Sequence, residues 1–165
     1  MLSLQSDRWI TLTSSVSGNG QLALGYLQAY LGGDTSSLDE LSAQCCHQFS
    51  LGNVAFAVVP HLVHGGQNVG LDQLYVIGNI RASELRSGVS PPIDLVDDYR
   101  GALDTSLLMA LEILKTNEMR PGDVKRILAF VSAVKGDYNL SIHLLLNGGS
   151  DHELSCPHCG EYIKW

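Results

Sequence analysis

The sequence predicts an all-α protein, and three observations support this fold class. Apolar residues recur at intervals of three and four along about seven segments, which is the spacing of one face of an α-helix. Glycines follow most of these segments, as they commonly follow helices. No two neighbouring segments show the alternation of paired strands. With 165 residues, the chain is long enough for one core. We therefore predict one helical-hairpin domain over residues 1–150 and a short tail over residues 151–165.

The first predicted helix covers residues 21–31 and ends at a glycine pair. Before it, residues 1–18 are predicted as a docked N-terminal arm. The second helix is predicted to begin at Ser37, because Glu40 three residues later completes the pattern of a capping box. Its apolar face extends to Phe49.

The third segment, residues 54–63, has the sequence VAFAVVPHLV and is ambiguous by periodicity alone. Its β-branched residues and its length suit a buried strand. However, Pro60 lacks the backbone donor that a central strand needs, and proline also kinks helices. We predict a bent, buried helix because helices are predicted on both sides, and a strand is the alternative.

Four further helices are predicted at residues 71–85, 92–115, 121–134 and 138–146. Prolines precede or begin two of them, in the first turn where proline is tolerated. The connections are short. They predict antiparallel α-hairpins, arranged either as a stacked array or as an irregular bundle.

The charge balance bears on the class of partner. The chain has 10 Lys and Arg against 17 Asp and Glu, a formal net charge of −7. Nucleic-acid binding uses clustered Lys and Arg, so the charge disfavours it. Asp94, Asp97 and Asp98 lie at the start of a long helix, where the helix dipole favours carboxylates. We predict that they face a basic partner, with capping and dipole roles as the alternative.

The sequence also bears on location. No apolar run reaches the length of a membrane span, and the first residues do not resemble a secretory signal. The four cysteines do not form the pattern of a disulfide framework, which indicates a reducing compartment. We therefore predict a cytoplasmic protein without a membrane partner.

Cys45, Cys46 and His47 form a dense cluster of polar and soft residues, a composition that could indicate a catalytic site. A nucleophilic thiolate needs a base within hydrogen-bond reach, but adjacent helical residues point about 100° apart. We predict instead that Cys45 is a buried core residue and that Cys46, His47, Gln48 and His61 form a structural polar clasp. The sequence contains none of the phosphate-binding, serine-hydrolase or zinc-protease motifs. The prediction is a protein without enzymatic activity.

The tail contains the motif CPHCG, in which Cys156 and Cys159 could supply two thiolates to a zinc ion. Zinc takes four ligands in a structural site, so this motif is half of a zinc knuckle. Cys46 and His47 are weaker candidates for the remaining ligands. Zinc is the only cofactor for which the sequence offers candidates. The strand and long helix of a thioredoxin-like redox site are missing from the sequence pattern around the motif.

Residues 41–63 resemble a group of bacterial HEAT-like helical-repeat proteins. The matching residues are Cys46-His47-Gln48, the apolar run over residues 54–59 and Pro60-His61-Leu62-Val63. The resemblance extends more loosely through residues 91–114 to the terminal CPHCG. The resemblance implies an all-α hairpin array that acts as a binding scaffold. It also implies relatives among toxin-immunity proteins.

The sequence therefore predicts a non-enzymatic cytoplasmic binding protein. The narrower form of this prediction is an immunity or adaptor protein that occludes a protein partner such as a basic toxin. One alternative is a zinc-binding helical protein that uses the C-terminal CxxC. Another is a helical-repeat enzyme acting on nucleic acid, which the acidic charge disfavours.

Overall fold

The computed structural model confirms the all-α prediction for the part of the chain it describes. That part comprises residues 1–16, 18–65, 69–115, 119–146, 154–155 and 162–163. No helix within these residues combines the length and the apolar character needed to cross a membrane.

Helices dominate the described residues, and all seven predicted segments contain one. A short helix also lies in the N-terminal arm. The helices are α1 (Arg8–Thr11), α2 (Gln21–Leu31), α3 (Ser37–Cys45), α4 (Val54–His64), α5 (Leu71–Ser87), α6 (Val96–Leu114), α7 (Pro121–Val134) and α8 (Tyr138–Leu146). Helix α6 begins later than predicted, because the residues after Pro92 form a turn closed by the bond from Leu95 N–H to Pro92 O at 2.9 Å.

The helices stack in two rows. One row contains α2, α4 and α6, and the other contains α3, α5 and α7. Successive helices also contact each other across the rows, and α8 packs on α7 and α5. This arrangement matches the predicted α-hairpins. Among the helices of the described residues, α6 is the last of its row.

Helix α4 lies at the centre of the stack. Every residue from Val54 to Val63 is buried, and the helix continues through Pro60 until Gly65, whose N–H donates to His61 O at 2.8 Å. The prediction of a helix rather than a strand is confirmed. The Phe56 ring meets Tyr99 of α6 edge to face, with the ring centroids 5.0 Å apart.

The predicted capping box at Ser37 is wrong. Ser37 is the first residue of α3, and its hydroxyl donates to Asp34 Oδ2 at 2.7 Å instead of capping the helix. Asp34 also accepts from the Ser36 hydroxyl at 2.6 Å, and these hydrogen bonds lower the pKa of Asp34. The helix begins one residue earlier than a cap at Ser37 would require, and Asp34 orders the turn before it through the two serine hydroxyls.

The predicted extension of α3 to Phe49 is also wrong. The helix ends at Cys45, and β1 (Cys46–His47) pairs antiparallel with β2 (Ser50–Leu51). Gly52 follows this hairpin, and a Cβ there would lie 2.5 Å from Ser15 N. The N-terminal arm therefore packs directly on the backbone of Gly52, a tertiary contact that helical periodicity does not encode.

A second antiparallel pair joins β3 (Leu154–Ser155) and β4 (Tyr162–Ile163) near the C-terminus.

Candidate functional site

The N-terminal arm docks on the core, as predicted. Trp9 and Leu12 are buried, and the Trp9 indole N–H donates to Ser3 O at 2.9 Å. His61 of α4 lies beside this ring, and its Nε2 is 2.8 Å from Leu2 O. Because a carbonyl only accepts, Nε2 carries the proton. Burial is the main reason that the pKa of His61 is lowered, so this imidazole anchors the arm in its neutral form.

The three aspartates predicted to bind a partner have different surroundings. The Arg8 guanidinium bonds to both oxygens of Asp94, at 2.8 and 3.3 Å, and this hydrogen bonding lowers the pKa of Asp94. Asp98 Oδ2 lies 2.6 Å from the Met1 amino group. Asp97 is exposed and has no partner in the described part of the chain. The arm therefore engages two of these carboxylates and leaves Asp97 facing outward.

Cys46 attaches the β1–β2 hairpin to α5. Its Sγ lies 2.8 Å from Ser83 Oγ, and the Ser83 hydroxyl donates to Asn79 O at 2.8 Å. Since the serine proton is already used, the thiol is the donor to Ser83. Burial raises the pKa of Cys46 and raises that of Cys45 much further. Both groups are therefore kept as neutral thiols, which are poor nucleophiles and poor metal ligands.

The predicted polar clasp is divided between two places. Cys46 bonds to α5, whereas His61 bonds to the N-terminal arm. His47 is exposed, and Gln48 lies in the turn of the hairpin with a φ of 48°.

The metal candidates of the tail, Cys156 and Cys159, lie outside the described residues. Among the residues that are described, no three His, Cys, Asp or Glu side chains come together as a metal site.

One face of α6 is open to solvent. Five exposed residues at helical spacing on this face form what we call the α6 stripe, namely Asp97, Gly101, Asp104, Leu108 and Leu111. Asp98, Arg100 and Glu112 of α6 are also exposed. Leu108 is 65% exposed and Leu111 is 43% exposed. Periodicity alone places Leu111 on the inner face of this helix, whereas the structure exposes it. Leu108 is the sequence signal that could have revealed the stripe, because it is apolar but falls outside the helical spacing of the buried residues.

A groove runs beside α5, between the β1–β2 hairpin and the packed pair α7 and α8. It consists of two adjoining cavities of about 550 and 210 Å³, and Tyr75 and Leu145 line both. We call it the α5 groove. The first cavity is also lined by Pro121, Gly122, Lys125, Arg126 and Leu144, and the second by Ser42, Cys46, Gln48, Phe49 and Asn79. Sequence reasoning missed this groove because its walls come from five separate elements.

A scan against protein-family models, a search of curated proteins and a search of solved structures found no significant match to this chain.

Proposed function

We propose that this chain is a non-enzymatic binding protein that docks on a basic protein partner through the α6 stripe. The observation that carries the proposal is the exposure of Leu108 and Leu111 in line with Asp97 and Asp104 on the last helix of its row. Single exposed leucines are common, but adjacent leucines beside carboxylates on an uncovered helix face are typical of contact surfaces.

The two halves of the stripe have different roles in this proposal. Asp97 and Asp104 would steer a basic partner toward the helix, in keeping with the net charge of −7. Leu108 and Leu111 would form the desolvated centre of the contact. Asp94 and Asp98 would act indirectly, by holding the arm against the start of α6.

The narrower proposal is an immunity or adaptor protein that covers a functional surface of its partner, such as a basic toxin. Two features support a role without catalysis. The two cysteines in the described residues are held as neutral thiols, and His61 uses its Nε2–H to anchor the arm. The resemblance to HEAT-like binding scaffolds agrees with this role.

The test is co-expression with proteins encoded by neighbouring genes, using the wild-type chain and the double variant Leu108→Asp/Leu111→Asp. The matched control is Leu22→Asp, since Leu22 is 52% exposed on α2. We expect wild type and control to capture the same basic partner, and the stripe variant to bind at least about tenfold more weakly. Circular dichroism checks that all three proteins are folded.

Two outcomes would contradict the proposal. One is that no neighbouring protein binds the wild type, and the other is that the stripe variant binds as tightly as the control. A charge variant, Asp97→Lys/Asp104→Lys, tests the steering role separately. It is expected to slow association more than it speeds dissociation, with a smaller salt dependence than wild type.

A second candidate function, zinc binding, is favoured by the pairing of β3 with β4. Leu154 pairs with Ile163 and Ser155 with Tyr162, and residues 156–161 come between these two strands in the sequence. This interval of the sequence contains both tail cysteines, and two thiolates this close in sequence can supply half of a zinc site. The other ligands would come from His47, which is exposed, or from a second chain.

Metal analysis of protein purified without an affinity tag tests zinc binding. We expect about one zinc per chain, or about one per two chains if the site is shared. The variant Cys156→Ser/Cys159→Ser should lose the metal, whereas Cys46→Ser should keep it. Zinc that is absent from the wild type, or that persists in the double variant, would remove this candidate.

A further inference from the structure

The charge of the α5 groove is opposite to that of the whole protein. Lys125 and Arg126 line it, and none of its described lining residues is a carboxylate. Arg126 Nη1 lies 3.4 Å from Asp72 Oδ1 outside the lining, and both side chains are at least half exposed, so this pair is weak. Lys125 has no acidic partner in the described part of the chain. The groove therefore offers two cations to an anionic ligand.

The walls also offer an aromatic surface and hydrogen-bonding groups. Tyr75 is 37% exposed at the junction of the two cavities, and the Arg126 guanidinium lies 5.5 Å from its ring centre. The residues that line the smaller cavity include Ser42, Gln48 and Asn79, whose side chains carry a hydroxyl and two amides. Amides and hydroxyls both donate and accept, as the backbone of an extended peptide requires.

The hairpin turn that forms one wall has a left-handed backbone. Gln48 and Phe49 have φ angles of 48° and 63°. A two-residue turn between paired strands needs positive φ at both positions, so the hairpin itself accounts for these angles. The Arg86 guanidinium lies 5.0 Å from the Phe49 ring centre, and this cation–π contact holds the turn at the wall of the groove.

We propose that the α5 groove binds an extended acidic peptide segment of a partner protein. An acidic side chain of the peptide contacts Lys125 and Arg126, and a neighbouring apolar side chain packs on Tyr75. The peptide backbone then continues toward the amides of Gln48 and Asn79. The larger cavity alone, at about 550 Å³, is within the size range of small-ligand pockets, and the adjoining cavity extends it along α5.

This site differs from the α6 stripe in location and in charge, so the two proposals fail independently. The probe is a fluorescein-labelled peptide of alternating Glu and Leu, titrated into the full chain at low salt, with a Gln-and-Leu peptide for comparison. Fluorescence anisotropy is expected to show saturable binding that is at least about tenfold weaker for the Gln peptide. The variants Lys125→Glu/Arg126→Glu and Tyr75→Ala should weaken binding, while the control Arg100→Glu, on the exposed face of α6, should not.

Carbodiimide cross-linking then identifies the occupant of the groove. We expect Lys125 to be joined to a glutamate of the probe peptide. The proposal is wrong if the probe does not saturate, if the Gln peptide binds equally well, or if Arg100→Glu weakens binding as much as the groove variants do. It is also wrong if Lys125 is joined only to Asp151, Glu153 or Glu161 of this chain, because its own C-terminal residues would then occupy the groove.

Discussion

Helices α4 and α6 are neighbours in one row, yet they are used differently. Ten of the eleven residues of α4 are buried, whereas five of the nineteen residues of α6 are buried. Helix α4 has α2, α3, α5 and α6 around it, while α6 ends its row. The position of a helix in the stack, rather than its apolar content, therefore decides which of its leucines are exposed to solvent. Apolar residues of α4 stabilise the fold, and those of the α6 stripe remain available for binding.

The largest expected effect contrasts Phe56 of α4 with Leu108 of α6. Phe56→Ala removes a fully buried ring that contacts Tyr99, and should reduce the free energy of unfolding by about 3–5 kcal/mol. Leu108→Ala should change it by less than about 0.5 kcal/mol, because Leu108 is 65% exposed. Urea unfolding followed by circular dichroism measures both. If both variants lost a similar free energy of unfolding, Leu108 would support the fold as Phe56 does, and the different roles assigned to α4 and α6 would be wrong.

Two helical glycines provide the next contrast. A Cβ at Gly78 of α5 would lie 3.2 Å from Phe130 Cα and 3.3 Å from Phe130 Cβ, so Gly78→Ala should destabilise by about 1–3 kcal/mol. At Gly101 of the α6 stripe nothing lies within 4 Å, and alanine should stabilise the helix by about 0.5–1 kcal/mol. Thermal unfolding of both variants is the measurement. Destabilisation by Gly101→Ala would show that another surface covers the stripe.

A smaller effect concerns pH and the anchor of the N-terminal arm. The pKa of His61 is lowered from its ordinary value of 6.5, first by burial, while the N-terminal ammonium lowers it further and Asp98 raises it. The His61 imidazole therefore binds a proton more readily in the unfolded chain than in the folded one. The contribution of His61 to stability should be complete above pH 6.5 and decrease as pH falls below that value.

Urea unfolding at several pH values between about 5.5 and 8 tests this, since most carboxylates titrate below that range. His61→Gln should reduce the dependence of stability on pH. An unchanged dependence in His61→Gln would show that another group causes it.

The smallest effect is expected for the ion pair between the arm and the start of α6. Arg8 and Asp94 are 35% and 46% exposed, so Arg8→Ala should destabilise by about 0.2–1 kcal/mol, less at high salt. Asp104→Asn is the control and should have no measurable effect on unfolding, because Asp104 lies beyond the first turn of α6 and has no partner in the described residues. A larger loss at Asp104 than at Arg8 would indicate that Asp104 supports the fold and is not reserved for a partner.

Sequence reasoning located the helices well and their surroundings less well. Residues 21–31 and 138–146 were predicted as helices with the bounds that the structure has, and α7 begins at Pro121 as predicted. Their apolar period is regular, and glycine or proline marks an end. The capping box at Ser37 failed because the helix already includes Ser37, and the turn before it is ordered by Asp34. The turn at Gln48 and Phe49 was missed because neither residue is typical of a left-handed backbone.

The candidate sites were predictable only where the motif is local. The sequence showed Cys46 and His61 as polar residues beside apolar runs, but their partners, Ser83 and Leu2, are distant in the chain. The α5 groove and the α6 stripe had no local motif. Each depends on which helices meet and which helix ends a row.

The sequence by itself therefore determined the fold class and most helix positions, because a helix is defined by hydrogen bonds and spacing within one segment. It also determined the acidic charge. Only the tertiary structure decided that α4 is enclosed, that Leu108 and Leu111 stay exposed, and that Lys125 and Arg126 share a groove with Tyr75. These properties arise from contacts between distant segments. The apolar period of one helix does not specify which other helices it packs against.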